Sequence, residues 1–298
     1  MTTEFKQVGL IAKDGDQRIV ETLRTLAGLL ERKGVEFALE DVTAGILDHW
    51  PHAAAPMEQL GRDCDLIIVV GGDGTLLHTA RALADHPVPM AGINLGRLGF
   101  LTDISAERAV ADIEQILEGN YSRDDRPIVD GIIRRDGSPI ASDLALNDVV
   151  LHKADGGRMI EFETWVGGTF VSLHRADGMI AATATGSTAY ALSGGGPILH
   201  PDLGGLTLVP ICPHTLSDRP LVVPDQYRIE LVLRGHSDPE GQVHWDGQQR
   251  SPMQPGDQLE ICSQGRSTTL LHPPGYDYFA LLRSKLHWGR GQDGGVPR

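Results

Sequence analysis

Apolar positions follow two different rhythms along the chain. Gln7-Val8-Gly9-Leu10-Ile11-Ala12 is a nearly continuous apolar run, the pattern of a strand covered on both faces. Ile19, Val20, Leu23, Leu26, Leu29 and Leu30 then recur at helical spacing. Val35-Glu36-Phe37-Ala38-Leu39 and Leu66-Ile67-Ile68-Val69-Val70 read as strands, residues 76–83 as a helix, Met90-Ala91-Gly92-Ile93 as a strand and residues 106–117 as a helix. Strand and helix in alternation predict a parallel sheet with helices on both faces, where ligands gather beyond the carboxyl ends of the strands. From about residue 126 the rhythm shortens. Stretches 129–134, 148–152, 159–166, 169–174, 206–210, 227–233, 258–261 and 268–272 read as strands separated by turn residues. Helical spacing returns only near 187–193 and over 278–288. The expectation is an α/β N-terminal domain with a parallel Rossmann-like sheet over residues 1–125, and a β-rich (β-sandwich) domain over 126–274. A C-terminal helix within 275–290 is expected to pack back on the first domain.

Composition narrows the function. Hydrophobic content of 41% in 298 residues is enough for a real core. The 36 glycines and 18 prolines fit many turns and ligand-hugging loops. A formal charge of -14 argues against a general nucleic-acid or anionic-membrane binder, because phosphate-rich surfaces repel an acidic protein. Small anions remain possible, held by backbone N–H groups and helix N-termini. Cys64, Cys212 and Cys262 lie far apart with no paired spacing, which predicts reduced thiols and a cytoplasmic location. The opening Met1-Thr2-Thr3-Glu4-Phe5-Lys6 does not read as a secretory signal, and residues 289–295 read as a frayed tail.

Three segments carry candidate chemistry. Gly71-Gly72-Asp73-Gly74-Thr75 lies between an expected strand and an expected helix. Its glycines let backbone approach a bulky anion, and the helix start offers unpaired N–H groups. It is neither a Walker A loop nor the dinucleotide fingerprint, and read alone it is equally a tight turn with Asp73 as cap. Ile93-Asn94-Leu95-Gly96-Arg97-Leu98-Gly99-Phe100-Leu101-Thr102 also follows a strand end and alone reads as a glycine-rich loop with buried apolar residues. The third is Asp177-Gly178-Met179-Ile180 followed by Thr183-Ala184-Thr185-Gly186-Ser187-Thr188-Ala189-Tyr190-Ala191-Leu192-Ser193-Gly194-Gly195-Gly196-Pro197. It crowds small hydroxyls and glycine at a strand-to-helix junction, with Tyr190 available to stack on a flat ring. It contains no Gly-x-Ser-x-Gly elbow, so a hydrolase is not expected.

Together with Leu146-Asn147-Asp148 and Pro213-His214-Thr215-Leu216-Ser217-Asp218-Arg219-Pro220-Leu221-Val222, these segments closely resemble the NAD kinases over roughly residues 5–285. The glycine motif alone is shared with diacylglycerol, sphingosine and phosphofructokinase-type kinases; the later segments are more specific. One departure is Ala184, where the family usually has proline, and altered loop stiffness is the expected result.

The resemblance implies transfer of the terminal phosphoryl of ATP to the 2′-hydroxyl of the adenosine ribose of NAD. Asp73 would take or steer the hydroxyl proton. Gly72, Gly74 and Thr75 would face phosphates, with His78 one turn further on and Asn94 and Phe100 in the neighbouring loop. Asn147 and Asp148 would hydrogen-bond NAD. Asp177, Thr185, Thr188, Ala189, Tyr190, Ala191, Leu192 and Ser193 would hold its nicotinamide end and its adenine or ribose. Gln248 falls at another binding position, and Arg158 and Arg175 match places where relatives carry binding side chains. Mg²⁺ or another divalent cation would accompany ATP. The histidines show no metal spacing and no protein metal site is expected. Relatives assemble through their β-rich domains, so a homodimer or homotetramer is expected. Two rivals remain at this point: a lipid or sugar kinase built on the glycine motif, and a non-catalytic dinucleotide sensor.

Overall fold

The computed structural model describes residues 4–13, 17–47, 51–96, 99–154, 158–235 and 241–288. Two compact units emerge: Met1–Leu76 with Pro89–Arg123 and Leu270–Arg298, and Leu77–Val88 with Asp124–Thr269.

The first unit is built on parallel strands in the order Ala54–Ala55, Glu36–Glu40, Gln7–Ala12, Leu66–Val70 and Met90–Asn94, with Leu270 continuing the sheet beside Met90. Every residue of Leu66–Val70 is buried, as its unbroken apolar run requires. Helix Gln17–Lys33 turns Ile19, Leu23, Leu26, Leu29 and Leu30 inward, and Ala109–Leu117 adds Ile113, Ile116 and Leu117 to the same core. Each apolar face follows from spacing near 3.6 residues. Two short helices, Asp41–Ile46 and Met57–Asp63, were not legible because each is too brief to show a period. The C-terminal helix is Tyr278–Leu286, capped by Asp277, whose carboxylate accepts from the Phe279 and Ala280 amides. The expected fraying of residues 289–295 lies outside the described residues.

The second unit is β-rich. One set of antiparallel strands runs in the order Thr169–Ala176, Ile160–Val166, Ile229–Arg234 and Gln258–His272, with Ser122–Arg135 pairing both Gln258–His272 and Ser138–Ala145. The other sheet runs Leu221–Pro224, Gly205–Ile211, Gly178–Ala182, Asp148–Lys153, Gly241–Trp245 and Gln249–Met253, antiparallel throughout. Their inner faces share a core that includes Phe162, Ile229, Leu231, Leu151, Val243 and Trp245. The Trp245 indole N–H donates to the Gly131 carbonyl at 3.1 Å, satisfying its polar edge inside that core.

Three readings shift in detail. Residues 258–272 form one strand rather than two, because the polar stretch around Gly265 carries the chain through a positive φ of 81° without ending the pairing. The expected helix near 187–193 is a 3₁₀ turn, Gly186–Thr188, followed by the four-residue helix Tyr190–Ser193. Strands Ser138–Ala145, Leu221–Pro224, Gly241–Trp245 and Gln249–Met253 were missed, because each is brief or mixes apolar and polar side chains in a way that blurs alternation.

Candidate functional site

Buried strand Leu66–Val70 ends at Gly71, and helix Asp73–Ala82 begins two residues later. Asp73 thus sits in the first helical turn, where the helix dipole favours a negative charge. Its carboxylate is held from the side by the neighbouring loop. Oδ2 accepts from the Phe100 amide at 2.8 Å; Oδ1 accepts from the Leu101 and Thr102 amides, each at 3.1 Å, and from the Thr102 hydroxyl at 2.9 Å. Oδ2 therefore keeps room for a further donor. Gly99 is required for this approach, since a Cβ there would overlap Asp73 Oδ1 and Thr102 Oγ1. Asn94 builds the loop: its amide nitrogen donates to Thr102 Oγ1 at 2.9 Å and its oxygen accepts from the Gly96 amide at 2.7 Å. Gly72 and Gly74 are exposed beside Asp73, and His78 faces solvent from the same helix.

The second unit contains a cavity of ≈ 430 Å³ lined by Asn147, Asp148, Val150, His152, Ala189, Tyr190, His244, Asp246 and Gly247. Asp148, Val150 and His152 alternate along one strand and so share a face; His244 lies opposite Val150 on the next strand. Tyr190 is exposed on the wall, presenting its ring. Asp246, in the left-handed region at φ 49°, turns its carboxylate back onto three consecutive amides: Leu146 at 3.0 Å, Asn147 at 2.8 Å and Asp148 at 3.1 Å. Three converging N–H groups fix the backbone of Asn147 and Asp148.

Charge in this cavity is tuned by burial. The Asp148 carboxyl is pushed up to about 7, first by burial and then by the neighbouring Asp246 charge. Burial also raises Asp246, opposed by its three amide donors and by Arg81. His244 is lowered by burial, then by His152 and Arg250, which favours its neutral imidazole. Arg81 Nη2 pairs with Asp143 at 2.6 Å, while its Nη1 reaches Gln248 Oε1 at 3.4 Å.

The structure thus brings Asp73, Asn94 and Phe100 together in one unit, and Asn147, Asp148, Ala189 and Tyr190 together in the other. Thr188, Leu192 and Ser193 flank Tyr190 on its short helical turns. Thr185 is buried and receives Arg126 Nη1 at 3.3 Å, and Ala191 is packed with Val150, Ile180 and Val209. Both act as walls. Asp177 stands at the far end of the strand pair from Asp148 and is bridged by Lys153 at 2.7 Å. Arg158 and Arg175 are exposed and do not line the cavity; Arg175 faces Glu161 at 4.0 Å across its strand pair. Ala184 is buried and its carbonyl accepts from the Ser187 hydroxyl at 2.6 Å.

Sequence reasoning missed Asp246, Thr102 and Arg81. Nothing local announces a carboxylate that caps amides about a hundred residues away. Among the described residues no group of three His, Cys, Asp or Glu side chains could hold a metal ion, and the Asp73 carboxylate is already occupied by four donors. These residues do not form a resident metal cage.

Residues 8–121 match the model of the ATP-NAD kinase N-terminal domain, and residues 146–272 that of the ATP-NAD kinase C-terminal domain. The chain is 47% identical to an NAD kinase of Aromatoleum aromaticum over 289 residues, 97% of this chain and 96% of the relative. It is 44% identical to an NAD kinase of Nitrosococcus oceani over 292 residues, 97% of this chain and 99% of the relative. Among solved structures, an NAD kinase from Archaeoglobus fulgidus in complex with ATP superposes with a TM-score of 0.74 at 28% identity, covering 94% of this chain and 98% of that one. A yeast NADH kinase complexed with NADH shares the fold, with a TM-score of 0.87 at 23% identity over 96% of this chain and 89% of that one.

Proposed function

The chain belongs to the NAD kinase family, and from that premise we propose how its own residues carry the reaction. It is a phosphotransferase that moves the terminal phosphoryl of ATP to the 2′-hydroxyl of the adenosine ribose of NAD, forming NADP and ADP. A new bond forms between the ribose oxygen and the γ-phosphorus, the bond to the β-phosphate bridging oxygen breaks, and the hydroxyl loses its proton.

Asp73 orients that hydroxyl and receives its proton at Oδ2, the carboxylate oxygen with a free acceptor position. The fourfold hold on its carboxylate is the observation that carries this assignment. It supplies a fixed acceptor, and positioning is the larger part of catalysis in phosphoryl transfer. The exposed backbone at Gly72 and Gly74, with Thr75, receives phosphate oxygens. Asn94 acts through the loop it ties to Thr102, and Phe100 through the amide it gives Asp73.

Asn147 and Asp148 bind ribose hydroxyls, with Asp148 as acceptor. Tyr190 stacks on a flat ring of NAD, and Thr188, Ala189, Leu192 and Ser193 shape that wall. Asp177, His78, Gln248, Arg158 and Arg175 complete the proposed set, the arginines as partners for phosphate, hydrogen-bond donors or discriminators between oxidised and reduced cofactor. A divalent cation enters with the triphosphate as its counter-ion. We place the functional boundary at residues 125 and 126. We also propose a cytoplasmic homodimer or homotetramer, supported by the free cysteines and by exposed Phe170, Val171 and Leu173 on one strand.

Purified protein with ATP, Mg²⁺ and NAD should yield NADP, and Asp73→Asn should lose at least about a hundredfold in kcat while NAD binding persists. Turnover near wild type in that variant would overturn the role of Asp73.

A further inference from the structure

Asp73 does not hold itself in place; the loop at residues 99–102 does. What holds that loop is a separate question. On one side Asn94 reaches Thr102. On the other, Asp103 immediately follows Thr102, and its Oδ2 lies 3.0 Å from the His272 Nδ1. An ionised carboxylate only accepts, so Nδ1 is the donor. Both side chains are almost fully buried, His272 at 1% and Asp103 at 8% exposure. The His272 ring stacks on Tyr276 with centroids 3.8 Å apart and planes within 5°.

Two further observations make this bond more than packing. Asp103 Oδ1 is buried and accepts no hydrogen bond among the described residues, so the side chain is anchored through Oδ2 alone. Asp103 and Tyr276 also border a cavity of ≈ 400 Å³. Leu101 and Thr102 are buried, but Asp103, the residue that follows them, faces this open space, so its one hydrogen bond fixes where the loop ends. The same C-terminal segment touches the loop again, with Lys285 Nζ 5.6 Å from the centroid of the Phe100 ring, and Phe100 supplies one of the amides that hold Asp73.

We propose that Asp103 and His272 form a latch that fixes the loop at residues 99–102, making His272 a positioning residue for phosphoryl transfer although it touches neither substrate. The inference rests on Asp73 as the reacting carboxylate. Releasing the latch lets the amides of Phe100, Leu101 and Thr102 drift, and Asp73 drifts with them. A displacement of order 1 Å at a reacting group costs up to about a hundredfold in rate, while substrate binding elsewhere is spared.

The test uses the full chain. His272→Phe keeps a ring for Tyr276 and removes the donor, but leaves a buried carboxylate unpaired and risks misfolding. The Asp103→Leu/His272→Phe double variant removes both polar partners at similar volume, so it should fold with nearly unchanged Tm. His272→Asn restores a donor near the Nδ1 position without the ring. Expected for the double variant is a kcat at least about tenfold lower, KM for NAD and ATP within about twofold, and faster amide hydrogen exchange at Phe100–Thr102. His272→Asn should regain most of the lost kcat even if its Tm falls.

A folded double variant with wild-type kcat would overturn the latch, as would a rise in KM at unchanged kcat. So would a kcat in His272→Asn that tracks its loss of Tm. Asp73→Asn run alongside separates the two readings. If it retains turnover, the role of Asp73 fails; if it is inactive while the double variant is fully active, only the latch fails.

Discussion

Asp148 shows how a single residue can set a pH profile. Its carboxyl is 5% exposed, lines the cavity, and is raised to about 7 by burial and by Asp246. In the role proposed for it, acceptor for a ribose hydroxyl, it works in the ionised form. Below about pH 7 binding must first expel a proton, so KM for NAD should fall as pH rises, by about tenfold between pH 6 and 8, and then level off. Stability has the opposite slope. The folded pKa lies above the unfolded value of roughly 4, so the folded protein holds the extra proton between about 4 and 7. This contribution is fully present at low pH and is lost as pH rises through that window. Asp148→Asn should flatten the KM profile; a variant that follows the wild-type curve would assign the titration to another group.

At the scale of elements, the turn between strands Gly241–Trp245 and Gln249–Met253 does work for a third strand. Asp246 takes a left-handed φ of 49°, which Asp and Asn tolerate better than most residues, and from there caps the amides entering strand Asp148–Lys153. Asp246→Ala should lose all three caps and the backbone preference together, costing about 2–3 kcal/mol in stability and raising KM for NAD. Asp246→Asn keeps the turn and one acceptor oxygen, so its loss should be clearly smaller in thermal unfolding; equal losses would mean that the caps contribute little. The same turn marks the limit of what the sequence discloses. Strand Leu66–Val70 and helix Gln17–Lys33 were legible because burial writes a period into consecutive residues. Asp73 and Asn147-Asp148 were legible as motif residues. Asp246 and Thr102 were not, because their partners lie 98–100 and 29 positions away and a capping carboxylate leaves no local pattern. Arg81 was hidden the same way, since its partner Asp143 sits 62 positions on in a strand that shows no apolar–polar alternation.

For the whole molecule, the proposed assembly has to overcome the chain's own charge. Strand Thr169–Ala176 stands at the edge of its sheet, and Phe170, Val171 and Leu173 are 49%, 42% and 56% exposed on it. An edge strand offers unpaired backbone groups, and folds usually guard such edges with charge; this one carries apolar side chains, as an interface between copies would. Covering one Leu contributes about 2 kcal/mol, and a two-fold contact uses the residue twice. Leu173→Glu should therefore weaken association by about a thousandfold or more, shifting sedimentation toward the single chain at micromolar protein. Each copy also brings a formal charge of -14, so repulsion opposes contact and is screened by salt. Assembly of the unaltered protein should accordingly tighten as salt rises. A wild-type protein that sediments as a single chain at every salt concentration would sink the proposal, and an oligomer indifferent to Leu173→Glu would move the interface to another face.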